Sequence, residues 1–206
     1  GPMPPSVALE VVEEVAAALD LAWRKEGPDG EPLRLLHRDI KPGNIQLTPS
    51  GEVKLLDFGV ARAEFGGREA ETRSLIFGSV NYLAPERMDF EDTHKGDVYA
   101  LGITLCEMLS GSSFGKASIH PRKHADKIAE QGAALRRAGH DPALVELVER
   151  CLDYEPEDRP DARTLERACR DLRVTHRAPW MRDWAEKVVP VAIAGRAAEH
   201  DDWSGS

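Results

Sequence analysis

Cysteine is scarce: Cys106, Cys151 and Cys169 are the only three in 206 residues. The number is odd, no metal-ligand spacing joins them, and each lies in an apolar or helical stretch. A disulfide framework is therefore excluded, and buried reduced thiols in a reducing cytoplasm are expected. Long apolar runs are missing too. None approaches the roughly 18 residues that a membrane span needs, and the N-terminus carries no secretory pattern. Excess positive charge is absent, because the formal net charge is −9. That balance argues against a non-specific nucleic-acid binder and against a polybasic membrane-surface protein. Internal repeats and low-complexity blocks are also lacking. What remains is ordinary for a globular chain, with 41% hydrophobic and 31% charged residues, enough for one domain with or without a tail. Gly1-Pro2 before Met3 reads as a protease-cleavage scar, so residues 1–3 are left out of the fold.

Ser6 is a candidate N-cap for a helix running to about Lys25, with Val7, Val11, Val12, Val15, Ala18, Leu19 and Ala22 on an apolar stripe and Glu10, Glu13 and Glu14 off it. Gly27-Pro28-Asp29-Gly30 stops that helix. Leu33-Arg34-Leu35-Leu36, Ile45-Gln46-Leu47 and Val53-Lys54-Leu55-Leu56 read as short strands, the last two joined by Pro49-Ser50-Gly51. Residues 60–83 show no sustained period and read as a long loop, of a length that is functional or disordered in a compact domain. The run from Val98 to Leu109 is apolar on nearly every side, so it belongs at the centre of a core, and Ser110-Gly111 ends it. Residues 143–152 and 162–172 are amphipathic, with Asp161 placed to cap the second. A further helix around Trp180, Trp184, Val188 and Val189 is expected to break at Pro190, and residues 195–206 to fray. The fold class is α+β and mostly helical.

Three short motifs stand in order. His37-Arg38-Asp39-Ile40-Lys41-Pro42-Gly43-Asn44 comes first, Asp57-Phe58-Gly59 follows thirteen residues after the asparagine, and Ala84-Pro85-Glu86 closes the next segment. Alone, each aspartate or asparagine would be an ordinary turn-capping residue. The ordered spacing of all three, with Asp97 and Arg159 further on, does not fit that explanation. The set resembles H-R-D-x-K-x-x-N, D-F-G and A-P-E of the protein kinases. Residues 6–174 resemble the C-terminal lobe of a eukaryotic-like, Hanks-type Ser/Thr kinase of bacteria. The domain expectation is a kinase C-lobe over residues 4–176, then a C-terminal extension over 177–206.

The resemblance implies ATP and Mg²⁺ as cofactors and a protein as substrate. Asp39 would accept the proton of the substrate hydroxyl, and Lys41 would meet the transferring phosphate. Asn44 and Asp57 would hold the metal as hard oxygen ligands. Phe58 would pack under the metal site, Gly59 would let the backbone reorient, and His37 would be structural. Arg38 would receive a phosphate on Thr72 or Ser74, since a guanidinium pairs bidentately with phosphate oxygens; ordinary loop hydroxyls are the competing reading. Ser79 would hydrogen-bond the catalytic aspartate beside the substrate. Glu86 with Arg159, and Asp97 against the catalytic loop, would be structural. His94, His120, His124, His140, His176 and His200 have no ligand spacing and are expected at the surface or in caps.

No G-x-G-x-x-G occurs, and no strand offers the lysine of a V-A-I-K motif; Lys54 stands only three residues before Asp57. In the resembling family those parts belong to the N-terminal lobe, so this chain is expected to need a missing or separate N-lobe and to be inactive alone. Two function classes stay open: the catalytic-loop lobe of an active Ser/Thr kinase, or a kinase-like binding or scaffold module. Self-association through an uncovered lobe face, or cover of that face by the tail around Trp180 and Trp184, is a further expectation. A cytoplasmic location is expected, with no nucleic acid and no membrane contact in this segment.

Overall fold

The computed structural model describes residues 1–58, 80–88, 91–176 and 178–201, with side chains through Gly195. The elements run α1 (Pro5–Arg24), β1 (Ile45–Leu47), β2 (Val53–Leu55), α2 (Pro85–Met88), α3 (His94–Ser110), α4 (Pro121–Arg137), α5 (Pro142–Cys151), α6 (Ala162–Thr175) and α7 (Met181–Asp201). The fold is α+β and dominated by helices, as the sequence pattern implies. None of the described helices is long and apolar enough to cross a membrane.

Helix α3 forms the centre. Every residue from Gly96 to Cys106 is buried, as is Leu109. Gly102 is required there, because a Cβ at that position would meet Cys151 Cβ at 2.7 Å. Gly111 ends the helix in the left-handed conformation (φ 68°), with its N–H on the Glu107 carbonyl. Helix α1 lies against α3 and along α6 and buries Val7, Leu9, Val12 and Val15. Glu13 does not face water as its place off the apolar stripe suggests. It is 8% exposed and accepts from Arg170 Nε (3.0 Å) and Arg173 Nη1 (2.7 Å), which latch α6 onto α1. All three cysteines are buried and unpaired. Burial pushes the thiols of Cys106 and Cys151 up to about 12, so neither is a thiolate at neutral pH.

Four sequence expectations need correction. Ser6 does not cap α1: Pro4 is the N-cap, Pro5 stands at N1, and the Ser6 hydroxyl donates to the Pro179 carbonyl instead (2.8 Å). Residues 33–36 form no strand. The only pairing nearby is an isolated bridge between Glu26 and Pro32, Arg34 is left-handed (φ 50°), and Leu33 and Leu35 are exposed. Pro190 does not break the last helix, which continues through it to Asp201. Pro190 and Glu186 both face solvent, so water can satisfy the carbonyl that the proline leaves without a donor. His124 is 2% exposed, far from a surface histidine. Its Nε2 lies 3.1 Å from the Tyr99 hydroxyl, and its ring meets Tyr154 edge to face. Burial and the neighbouring Arg159 charge hold its pKa below the usual histidine value, which leaves the ring neutral to accept from Tyr99.

Arg159 organises that corner. All five of its N–H groups are used: Nε on Asp153 O, Nη1 on Glu86 Oε1 (2.7 Å) and Lys95 O, Nη2 on Glu86 Oε2 (2.9 Å) and Tyr154 O. Its guanidinium carbon also lies 4.7 Å from the centre of the Tyr99 ring. Arg159→Ala leaves Glu86 as an uncompensated buried charge. Thermal unfolding of this variant should show a loss of about 3–5 kcal/mol, a large share of a stability of roughly 5–15 kcal/mol; an unchanged melting curve would contradict the role of the pair.

Candidate active site

The His-Arg-Asp run sits between the buried end of α3 and the β1–β2 hairpin. Asp97, in the first turn of α3, is 3% exposed and receives two successive backbone amides: His37 N–H on Oδ2 and Arg38 N–H on Oδ1, both at 2.8 Å. Arg87 Nη2 donates to Oδ1 at 2.8 Å. Those bonds hold Arg38 in the left-handed region, φ 69°, a conformation that costs a non-glycine residue about 1–3 kcal/mol and persists only where the surroundings enforce it.

His37 is fully buried and joins two segments. The Asp39 N–H donates to its Nδ1 (3.3 Å), so the ring proton is on Nε2, which donates to the Leu56 carbonyl (2.8 Å). Leu56 N–H in turn donates to the Asn44 carbonyl (2.8 Å). The His37 ring meets Phe58 edge to face at 4.9 Å. The loop before the hairpin and the segment after it are thus pinned together. Asp57 lies between Leu56 and Phe58 and is likewise left-handed, φ 56°.

Two side chains converge on Asp39. Lys41 Nζ lies 2.8 Å from Asp39 Oδ2, and Asn44 Nδ2 donates to the same oxygen at 2.9 Å and to the Asp39 carbonyl at 2.7 Å. The 3₁₀ turn Pro42–Asn44 makes this reach work by folding Asn44 back over the loop. Because the Asn44 amide nitrogen is committed, its Oδ1 remains as an acceptor. The exposed Asp57 carboxylate has no hydrogen-bond or ion-pair partner among the described residues. An amide oxygen and a carboxylate without a competing cation are a donor set that fits Mg²⁺.

The structure therefore brings His37, Arg38, Asp39, Lys41, Asn44, Phe58 and Asp97 together, and places Glu86 on Arg159. Gly59, Thr72, Ser74 and Ser79 lie outside the described residues. The sequence reading missed Arg87 and Asp92. Arg87 is 8% exposed and lies between Asp97 and Asp92, while Arg38 Nε reaches Asp92 Oδ2 at 2.5 Å. No local pattern marks a buried arginine; its place directly after Glu86, on a four-residue helix, was the only available hint.

A family model for the protein kinase domain matches residues 2–168. The chain belongs to the protein kinase domain family. It is of the Hanks type, and bacterial serine/threonine kinases are among its curated relatives. It is 34% identical over 163 residues to the serine/threonine-protein kinase PknD of Mycobacterium tuberculosis, covering 77% of this chain and 23% of that protein. It is 39% identical over 112 residues to serine/threonine-protein kinase PrkC of Bacillus subtilis, covering 54% and 16%. The tyrosine-protein kinase MasK of Myxococcus xanthus is 32% identical over 168 residues, covering 76% and 25%. This kinase chain thus spans a quarter or less of the length of those relatives. The crystal structure of Rad53 1-466 in complex with AMP-PNP is similar in fold, with a TM-score of 0.56, 20% identity, and coverage of 81% of this chain and 40% of that one. Kinases of this family generally use ATP and Mg²⁺ to phosphorylate proteins.

Asp97→Ala would release the His37 and Arg38 amides and leave the buried Arg87 guanidinium with only the partly exposed Asp92 as counter-ion. Denaturant titration should give a loss of about 3–5 kcal/mol. Asp97→Asn, which keeps a carbonyl acceptor, should cost less. Equal losses in the two variants would show that packing, not charge, governs this position.

Proposed function

We propose that residues 4–176 are the catalytic-loop lobe of a Ser/Thr protein kinase that passes the ATP γ-phosphate to a protein hydroxyl, with residues 177–206 as a C-terminal extension. The observation that carries this reading is the convergence of Lys41 Nζ and Asn44 Nδ2 on one oxygen of Asp39, at 2.8 and 2.9 Å. A scaffold has no chemical need for a base held in that way.

Asp39 orients the substrate hydroxyl and accepts its proton as the oxygen attacks. The bonds from Lys41 and Asn44 engage Oδ2, which leaves Oδ1 to take that proton. Lys41 has a compact, mobile charge suited to the transferring phosphate. Asn44 Oδ1 and Asp57 would hold Mg²⁺, which neutralises phosphate charge when bound. Phe58 and His37 fix the backbone on which Asp57 stands. Ser79 would hydrogen-bond Asp39 beside the substrate, and Gly59 would let the Asp57 segment turn. The buried thiols and the ATP requirement suit a cytoplasmic setting.

The acceptor is read as Ser/Thr because Lys41 follows the Asp39 loop in the Ser/Thr manner. The similarity to MasK, named a tyrosine kinase, supports a second reading in which the acceptor is tyrosine. A peptide array containing all three hydroxyl residues separates the two.

Phosphoryl transfer rests on positioning and electrostatic stabilisation, and residues 4–176 offer nothing of the G-x-G-x-x-G or V-A-I-K type to grip the phosphate tail. The 206-residue chain should therefore bind Mg-ATP weakly and show no measurable phosphotransfer. Adding a kinase N-lobe, in cis or as a docking chain, should restore turnover, and Asp39→Asn should then abolish it without changing the melting curve. Robust phosphotransfer by the chain alone would remove the need for a second lobe. A complex that stays silent with an N-lobe supplied would favour the binding or scaffold module, and restored turnover indifferent to Asp39→Asn would remove Asp39 from the role of base.

The same restored kinase should phosphorylate Thr72 or Ser74, giving Arg38 a phosphate partner. Mass spectrometry of the active enzyme reads this directly. Phosphate found only outside residues 60–79 would overturn the assignment.

A further inference from the structure

Arg38 does not stand empty. Its Nε donates to Asp92 Oδ2 at 2.5 Å, while the other Asp92 oxygen takes Arg87 Nε at 2.9 Å. Arg87 continues to Asp97 Oδ1 at 2.8 Å, and that same oxygen accepts the backbone N–H of Arg38 at 2.8 Å. The four residues close a ring: Arg38 side chain, Asp92, Arg87, Asp97, Arg38 backbone. It contains two guanidinium groups and two carboxylates, so its charges cancel. One half is buried, with Arg87 at 6% and Asp97 at 4% side-chain exposure; the other half reaches solvent, with Arg38 at 35% and Asp92 at 33%. Gly96 makes room for it, since a Cβ there would collide with the Arg87 guanidinium. Arg87 Nη2 is further held by the Thr93 carbonyl at 3.3 Å.

We infer that Asp92 is the internal counter-ion of Arg38, a positioning residue that closes the ring Arg38–Asp92–Arg87–Asp97 and holds the His-Arg-Asp loop without phosphate. A phosphate recruited by Arg38 has to take its place. The inference rests on the reading of Arg38 as the catalytic-loop arginine. Asp92 occupies Nε, one of the two donors on the guanidinium edge best suited to bidentate phosphate binding. A phosphate carries a charge of about −1.5 to −2, and beside an ionised Asp92 it would be repelled. With Asp92 displaced, the phosphate would face Arg38 and Arg87 together and take over its role as their counter-ion. Occupancy by Asp92 and by phosphate are therefore alternatives, and either one completes the ring.

Amide hydrogen exchange at His37 and Arg38 in the 206-residue chain tests this, with inorganic phosphate as the probe. In Asp92→Asn those two amides should exchange about tenfold faster than in the wild type, because the charge-assisted bonds that restrain Arg38 and Arg87 are lost. Millimolar inorganic phosphate should slow them again in Asp92→Asn and leave the wild type unchanged. Asp92→Glu should keep wild-type exchange. Arg38→Gln opens the ring from the other side and should speed exchange without gaining a phosphate response, which covers the case of an Asp92→Asn chain that fails to fold. Unchanged exchange in Asp92→Asn, or in Arg38→Gln where that stands in for it, would overturn the inference. So would equal phosphate responses in wild type and Asp92→Asn. Neither readout involves phosphotransfer, so a chain that never works as a kinase can still show the ring, and an active kinase can still lack it.

Discussion

The carboxylate of Asp97 is the constraint on which the site depends. It is buried, it stands in the first turn of the central helix, and it accepts from two consecutive loop amides and one guanidinium. Taking a charge out of water costs several kcal/mol unless good hydrogen bonds and an opposite charge offset it; here both are present, and the helix N-terminus adds a favourable field. Because the two amides belong to adjacent residues, Asp97 fixes a direction as well as a position. The left-handed turn at Arg38 then aims the His37 ring inward toward the Leu56 carbonyl, and Asp39 follows on the opposite side. A hydrophobic residue at position 97 could fill the space but could not impose that turn.

A second consequence comes from the neighbours Glu86 and Arg87. They are adjacent, opposite in charge and both 8% exposed, yet they go to different partners: Glu86 to Arg159, Arg87 to Asp97 and Asp92. A helix of four residues has no stability of its own. The two buried ion pairs supply it, and they tie the segment to the core at two points, next to the α4–α6 side and next to the catalytic loop. Any motion of this segment as a body would strand two buried charges at once. Ala84 and Pro85 are therefore a fixed end for the chain that leaves Phe58.

How much of this was legible follows from the range of the interactions. The spacing of Asp39, Asn44 and Asp57 reflects backbone distance within one loop and one hairpin, so it is written locally, and these candidate residues could be picked out from the sequence alone. The apolar run from Val98 to Leu109 likewise marked the central helix without help. The misreadings concern partners far away in sequence. Ser6 looks like a cap until Pro179, 173 residues on, takes its hydroxyl. Glu13 looks solvated until Arg170 and Arg173 reach it. Leu33-Arg34-Leu35-Leu36 has strand-like composition, but a strand needs a ladder, and none of the described residues provides one. Helix α4 buries only His124, Gly132 and Leu135, too few to leave a stripe that a pattern search would single out. The Arg87–Asp92 contact spans five residues, a separation that residue types alone do not mark.

The tail packs through other side chains than its tryptophans. Trp180 is 64% exposed and Trp184 only half-buried, whereas Met181, Ala185 and Val189 are the side chains that α7 buries. They recur every four residues, one face of a helix, and Met181 joins Val7 and Val11 of α1 with Ile45, Leu47 and Val53 of the hairpin around it. That hairpin has two strands of three residues each, and an isolated pair of strands is marginal in water at best. Helix α1 covers it from one side and α7 closes over its tip, where Gly51 is left-handed (φ 85°) and so near α7 that a Cβ would stand 3.0 Å from Arg182 Cα. Asn44 immediately precedes the first strand, and Asp57 follows the second by two residues. The two oxygen donors of the candidate metal site are therefore held by an element too small to hold itself, and α7 is part of what keeps them in register.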